Sequence, residues 1–110
     1  MQISKQVLID VSEDASNSTG VQCDGLLLSG IVFPATMTGA NVTFDFSFDG
    51  VTWVDVAETN NTEVTYNVSA GNVVRVDPSG WAFAAAGFLR VTSDGTEVAD
   101  RSIQLIFKSS

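Results

Sequence analysis

The stretch ANVTFDFSF, residues 40–48, decides how this chain is read. Val42, Phe44, Phe46 and Phe48 alternate with Thr43, Asp45 and Ser47. Successive side chains of an extended strand point to opposite faces, so a period of two puts four apolar groups on one side. The stretch continues into DGVTW, residues 49–53. Asp49-Gly50 marks a hairpin there, because both residue types tolerate positive φ. SFDGVTW, residues 47–53, therefore reads as strand, tight turn, strand.

The same alternation recurs along the chain. TEVTYNV (62–68) sets Val64, Tyr66 and Val68 on one face, and RSIQLIFK (101–108) does so with Ile103, Leu105 and Phe107. GFLRVTS (87–93) places Leu89 and Val91 opposite Phe88, Arg90 and Thr92. ISKQVLI (3–9), GLLLSGIVF (25–33), VTWVDV (51–56) and NVVRV (72–76) supply the remaining strands. Pro34 and Pro78 fall between strands, and two further Asp-Gly pairs, Asp24-Gly25 and Asp94-Gly95, mark turns. GWAFAAAGFLR (80–90) is the one helical candidate, and Gly80 and Gly87 limit it to one or two turns. About eight short antiparallel strands in 110 residues predict an all-β sandwich, jelly-roll-like, with a seven-strand immunoglobulin-like sandwich as the alternative.

Composition bounds the function. The chain is 45% hydrophobic and 16% charged, with five basic and thirteen acidic residues, a net charge of −8. That balance repels phosphate backbones and anionic lipid, and no Lys/Arg cluster offsets it, which speaks against nucleic-acid and membrane partners. Histidine is absent and Cys23 is the lone cysteine, so neither a disulfide scaffold nor a Cys–His nucleophile is available. With no phosphate loop and no nucleophile motif either, the expectation is a non-enzymatic protein without cofactor or metal. The N-terminal MQISKQVLID reads as a strand, not a leader, and nothing reaches transmembrane length, so export by a cleaved signal is not expected. Without a leader, the Asn-x-Ser/Thr sequons at Asn17, Asn41, Asn60 and Asn67 read as coincidence in a chain rich in Asn and Thr.

The candidate sites are few. Asp45, Asp49 and Asp55 lie near one another, but the loop spacing and closing glutamate of a calcium hand are missing. Ser47, Asp49, Thr52 and Trp53 approach a sialidase-type Asp-box one residue short, and that box is itself a structural hairpin. Trp53 or Trp81, if exposed, would suit stacking on a sugar ring, which leaves a glycan-binding module as an alternative function. Arg75, Arg90 and Arg101 lie in or beside strands, where each calls for a carboxylate in the same chain or on another subunit.

GIVFPATMTGANVTFDFSFDGVTW (30–53) resembles the pattern G-I-x-x-P-A-x-x-T-G-A-x-x-T-F-x-x-S-x-D-G-x-x-W/F of a family of small tailed-bacteriophage structural proteins. Gly30, Pro34, Ala35, Thr38, Gly39, Ala40, Thr43, Phe44, Ser47, Asp49 and Gly50 fall on it. VRVDP (74–78), LRVTS (89–93) and ADRSIQLI (99–106) extend the similarity over residues 26–107. The resemblance implies a capsid decoration, or cement, protein: a jelly roll, usually a homotrimer, that clamps the major capsid protein from outside the virion. A head-fibre or tail protein is the alternative within the same setting. Under this reading residues 21–110 form the sandwich. Residues 1–20 form either an arm reaching over neighbouring subunits or a first strand with a loose polar loop. Trp53, Trp81, Phe83, Arg75, Arg90 and Arg101 are the expected interface residues.

Overall fold

The computed structural model describes residues 2–110. Their strands are β1 (Gln2–Ile9), β2 (Val21–Gln22), β3 (Leu27–Val32), β4 (Asn41–Ser47), β5 (Val54–Asp55), β6 (Thr65–Asn67), β7 (Val73–Arg75), β8 (Phe88–Ser93) and β9 (Arg101–Lys108). A 3-10 helix, Pro78–Ala84, joins β7 to β8. Pro78 opens that helix, and Asp77 caps it by accepting the Ser79 N–H.

All pairings are antiparallel. One sheet runs β1-β9-β3-β7, the other β2-β8-β4, with β5 and β6 sharing the second edge of β4. β5 pairs with Asp45 and Phe46, and β6 with Asn41, Val42 and Thr43, so the two occupy one interrupted strand position. Between them the chain leaves the sheet as a small hairpin, closed by the Ala57–Glu63 bridge. Counted by position there are eight strands, four per sheet, and the chain crosses between sheets at nearly every connection. This is jelly-roll connectivity, and the three-and-four division of an immunoglobulin sandwich does not describe it.

Alternation places the core. Val7, Ile9, Leu28, Ile31, Ile103, Leu105 and Phe107 face inward from the first sheet, and Val42, Phe44, Phe46, Leu89 and Val91 from the second. The inward spacing from Leu28 to Ile31 is three, not two. A register shift at Ser29 absorbs the extra residue and keeps both side chains in the core. Trp81 and Ala84 of the helix close the core at its margin, where Phe44 meets the Trp81 ring edge-on at 4.9 Å. Phe48 does not share the face of Phe44 and Phe46. It lies past the end of β4 and is 87% exposed.

The N-terminal segment is no arm. β1 pairs with β9 along its whole length, from Gln2↔Lys108 to Ile9↔Arg101, and buries Val7 and Ile9. Nor is SEDASNSTG (12–20) a loose loop. Ser16, Asn17 and Ser18 run beside β8: the Ser18 N–H donates to the Val91 carbonyl, and Ser18 Oγ accepts the Val91 N–H at 2.9 Å. Asp14 accepts the Ser16 and Asn17 N–H groups, and Asn17 bridges Thr92. These polar side chains complete the strand position that β2 begins, so no boundary falls near residue 20. Met1 lies outside the described residues.

Removing residues 1–10 strips the partner from β9 and opens the core at Ile103, Leu105 and Phe107. The shortened chain is expected to lose its cooperative thermal transition, read by near-ultraviolet circular dichroism. A sharp transition near the full-length temperature would mean that β1 is dispensable.

Candidate functional site

SFDGVTW is not a two-residue hairpin. Phe46 pairs with Val54, so residues 47–53 form a seven-residue loop. Its turn is built by side chains. Asp49 Oδ1 accepts the Val51 N–H at 2.8 Å, the Thr52 N–H at 2.9 Å and the Ser47 hydroxyl at 2.9 Å. Ser47 Oγ accepts the Gly50 N–H at 2.8 Å. The Thr52 and Val51 N–H groups, then Ser47, hold the Asp49 carboxyl below its usual range. Gly50 has φ +80 and lies against the Phe88 ring. Asp49 is thus consumed in shaping the loop. Of the three Asp-Gly pairs, only Asp24-Gly25 has both residues at positive φ, 55 and 79.

On the outer face of the second sheet, Arg90 Nε donates to Asp45 Oδ2 at 2.8 Å while its guanidinium lies 4.7 Å from the Trp53 ring centre. The Thr92 hydroxyl also donates to Asp45, at 3.2 Å. Arg90, Trp53 and Asp45 therefore satisfy one another within the protomer, and Asp45 is only 5% exposed although it faces outward. Asp55 is its cross-strand partner, and carboxylate oxygens of Asp45, Asp55 and Glu63 come within 4.8 Å of one another. The acid group that sequence spacing suggested is thus regrouped, with Glu63 of the hairpin in place of Asp49. Its nearest cation is Arg90. A hydrogen bond shared with Asp45, and the charge of Asp45, raise the Asp55 carboxyl above its usual range.

Arg101 is also spent internally. Its Nε donates to Glu97 Oε1 at 2.8 Å. Glu97 Oε1 accepts the Thr38 N–H at 2.9 Å, and Oε2 accepts the Gly39 N–H at 2.8 Å and the Ser93 hydroxyl at 2.7 Å. Burial alone would raise this carboxyl, but the Thr38 N–H, Arg101, the Gly39 N–H and Ser93 together outweigh it and bring it down to about 2. Nothing in the sequence flags Glu97 as special except its spacing of four from Arg101. Cys23 is an inert core thiol, pushed up to about 11 chiefly by burial.

The remaining expected interface residues separate sharply. Trp81 is 4% exposed and donates its indole N–H to Tyr66 Oη at 3.4 Å. Phe83 is 53% exposed and stacks on Trp81 with ring centres 5.8 Å apart. Arg75 is exposed on the edge strand β7 and, among the described residues, makes no ion pair. Sequence reasoning did not single out Phe48 or Val51. Phe46 links Phe48 at 4.8 Å to Phe83 at 5.5 Å, and exposed Val51 follows in the same loop, which makes an apolar cap at one end of the sandwich.

Beside the cap, between the 57–64 hairpin and the 3-10 helix, lies a cleft of about 430 Å³. Val56, Val64, Tyr66, Trp81 and Phe83 give it apolar and aromatic walls, and Glu58 and Asp77 are its charged groups. The chain matches no protein-family model and no curated protein.

Two substitutions probe these carboxylates. Lowering a buried carboxyl from 4.5 to about 2 corresponds to roughly 3 kcal/mol of stability. Because the folded value is the lower one, that contribution is present above pH 4.5 and is lost as pH falls through about 2. Glu97→Gln is expected to cost about 3 kcal/mol in urea unfolding at pH 7, with the gap to the parent closing toward pH 2. Equal stability of the two proteins at pH 7 would refute this. Asp55→Asn removes a like charge opposite Asp45 and is expected to raise the melting temperature at pH 7. The gain should vanish below the ordinary aspartate pKa, where Asp55 is protonated folded or unfolded. A lower melting temperature at pH 7 would contradict the repulsion.

Proposed function

We propose that this protein is a non-enzymatic structural component of a bacteriophage virion. It would bind as a trimer to the outer surface of the major capsid protein shell and stabilise it. The observation that carries this reading is the apolar cap. Phe48 and Phe83 are exposed at one end of the sandwich, both packed on Phe46, and Val51 is exposed in the same loop as Phe48. Clustered exposed aromatics of this kind mark contact with another protein.

The electrostatics are consistent with an outer position. A net charge of −8 repels packaged DNA and leaves the protein on the side of the shell away from it. Threefold repetition of one modest contact supplies avidity, so no single patch need be large. The resemblance over residues 26–107 points the same way.

The glycan-binding alternative draws less support. A sugar platform requires an open aromatic face. Trp81 is buried, and the Arg90 guanidinium lies over the Trp53 ring.

The test is sedimentation of the purified protein alone and with bare phage heads. A species of three times the monomer mass that co-sediments with the heads is expected. Phe48→Ser combined with Phe83→Ser should abolish co-sedimentation while lowering the melting temperature by only a few degrees, because both side chains are more than half exposed and lose only their contacts with Phe46 and Trp81. A monomer at high concentration that ignores the heads would overturn the reading.

A further inference from the structure

The cleft beside the cap has the composition of a cation site. Its walls combine the half-buried Tyr66 and the exposed Phe83 with two carboxylate residues, Glu58 and Asp77, while the buried Trp81 backs the rings, and no basic residue lines it. Asp77 is partly engaged by Ser79. Glu58 accepts no hydrogen bond through its side chain among the described residues and is exposed on the hairpin. The negative field is felt inside: after burial, Glu58 and Asp77 both push the Tyr66 hydroxyl upward.

The outer face of the second sheet carries a filled version of the same combination. There an aromatic ring, Trp53, and a carboxylate, Asp45, hold a guanidinium between them at 4.7 Å and 2.8 Å. In the cleft the rings and carboxylates are supplied and the cation is not. Val56 and Val64 add apolar wall suited to a methylene stem. Arginine and lysine side chains pair such a stem with a cationic head, and aromatic faces attract that head.

We infer that the cleft formed by Glu58, Tyr66, Asp77 and Phe83, backed by Trp81, receives an arginine or lysine side chain projecting from the surface of a partner protein. Charge complementarity favours a different protein over a second copy, since each copy carries a net charge of −8. Naming that partner as the capsid protein rests on the reading above. The chemistry of the cleft does not, because free probes test it without any capsid.

The experiment is a titration of the ¹⁵N-labelled full chain with N-acetyl-L-argininamide and with its neutral isostere N-acetyl-L-citrullinamide. The arginine probe should move the Trp81 indole N–H and Gly80 amide signals, saturating at millimolar concentration, with the citrulline probe about tenfold weaker. Glu58→Gln should weaken the arginine probe by at least about threefold, whereas Glu13→Gln, the same charge change far from the cleft, should leave it unchanged. Equal response to both probes, shifts located elsewhere, or stronger binding of N-acetylglucosamine at the same signals would overturn the inference. So would self-association lost on Arg75→Ala, which would identify the occupant as a second copy. If heads fail to bind the parent protein while the arginine probe still titrates the cleft, the capsid reading falls and the cation site stands.

Discussion

A carboxylate with no water access holds one end of this sandwich together. Burying an ionised glutamate is costly unless every oxygen finds donors, and Glu97 finds four: two backbone N–H groups, a hydroxyl and a guanidinium. Two of the donors come from another connection and two flank the one that carries Glu97. Thr38 and Gly39 lie between β3 and β4, Ser93 ends β8, and Arg101 begins β9. The backbone N–H of Glu97 donates in turn to Ala15, in the connection from β1 to β2. The β6–β7 connection joins by a separate route, with Val68 donating to Ala40 and Gly71 to Pro34. Four sheet-crossing turns are thereby tied at one end. Space is part of the constraint. Gly95 lies against the Gly39 backbone, and a side chain at Gly39 would collide with Ser93 Oγ, the hydroxyl that donates to Glu97.

The opposite end is built on other principles. Its connections are the Asp24-Gly25 turn, the Ser47–Asp49 loop and the helix-bearing segment between β7 and β8. Gly25 donates to Ala85 and Cys23 to Gly87, which moors the turn to the helical segment. No buried ion is found here among the described residues, and Phe48, Val51 and Phe83 are exposed. One end is thus tied by a buried carboxylate, and the other exposes Phe48, Val51 and Phe83 beside the Lys5–Asp24 ion pair.

Most of the sheet framework was legible because its strands obey a strict period of two. Ile103, Leu105 and Phe107 in β9 and Leu89 and Val91 in β8 are all fully buried, as alternation requires. Three things were hidden. The strand position beside β8 is written in serine and asparagine, since Ser18 and Asn17 bond the neighbouring strand through side chains as well as backbone. The outer face of β4 is buried at Asp45 and Ser47, because Arg90 and the 47–53 loop engage it from distant positions. Glu97 looks like any surface acid until two remote segments, at Thr38–Gly39 and Ala15, are brought to it. Of the six residues expected at an interface, Arg90, Arg101, Trp53 and Trp81 have partners inside the protomer. Phe83 and Arg75 present exposed, unsatisfied groups.

This division explains what the pattern in residues 30–53 carries. Thr38 and Gly39 of the pattern feed Glu97, and Ala40 donates to Asp94 at 2.9 Å. Ser47, Asp49 and Gly50 close the loop after β4, and Phe44 sits in the core between Tyr66 and Trp81. Every one of these residues makes a corner or fills the interior. Phe48 and Val51 occupy open positions of the same pattern, while Glu58 and Phe83 lie beyond this segment. Residues that fix the jelly roll and residues left exposed are therefore interleaved in sequence. Resemblance of this kind reports how the chain turns. The exposed side chains that the pattern leaves free are aromatic, aliphatic and acidic.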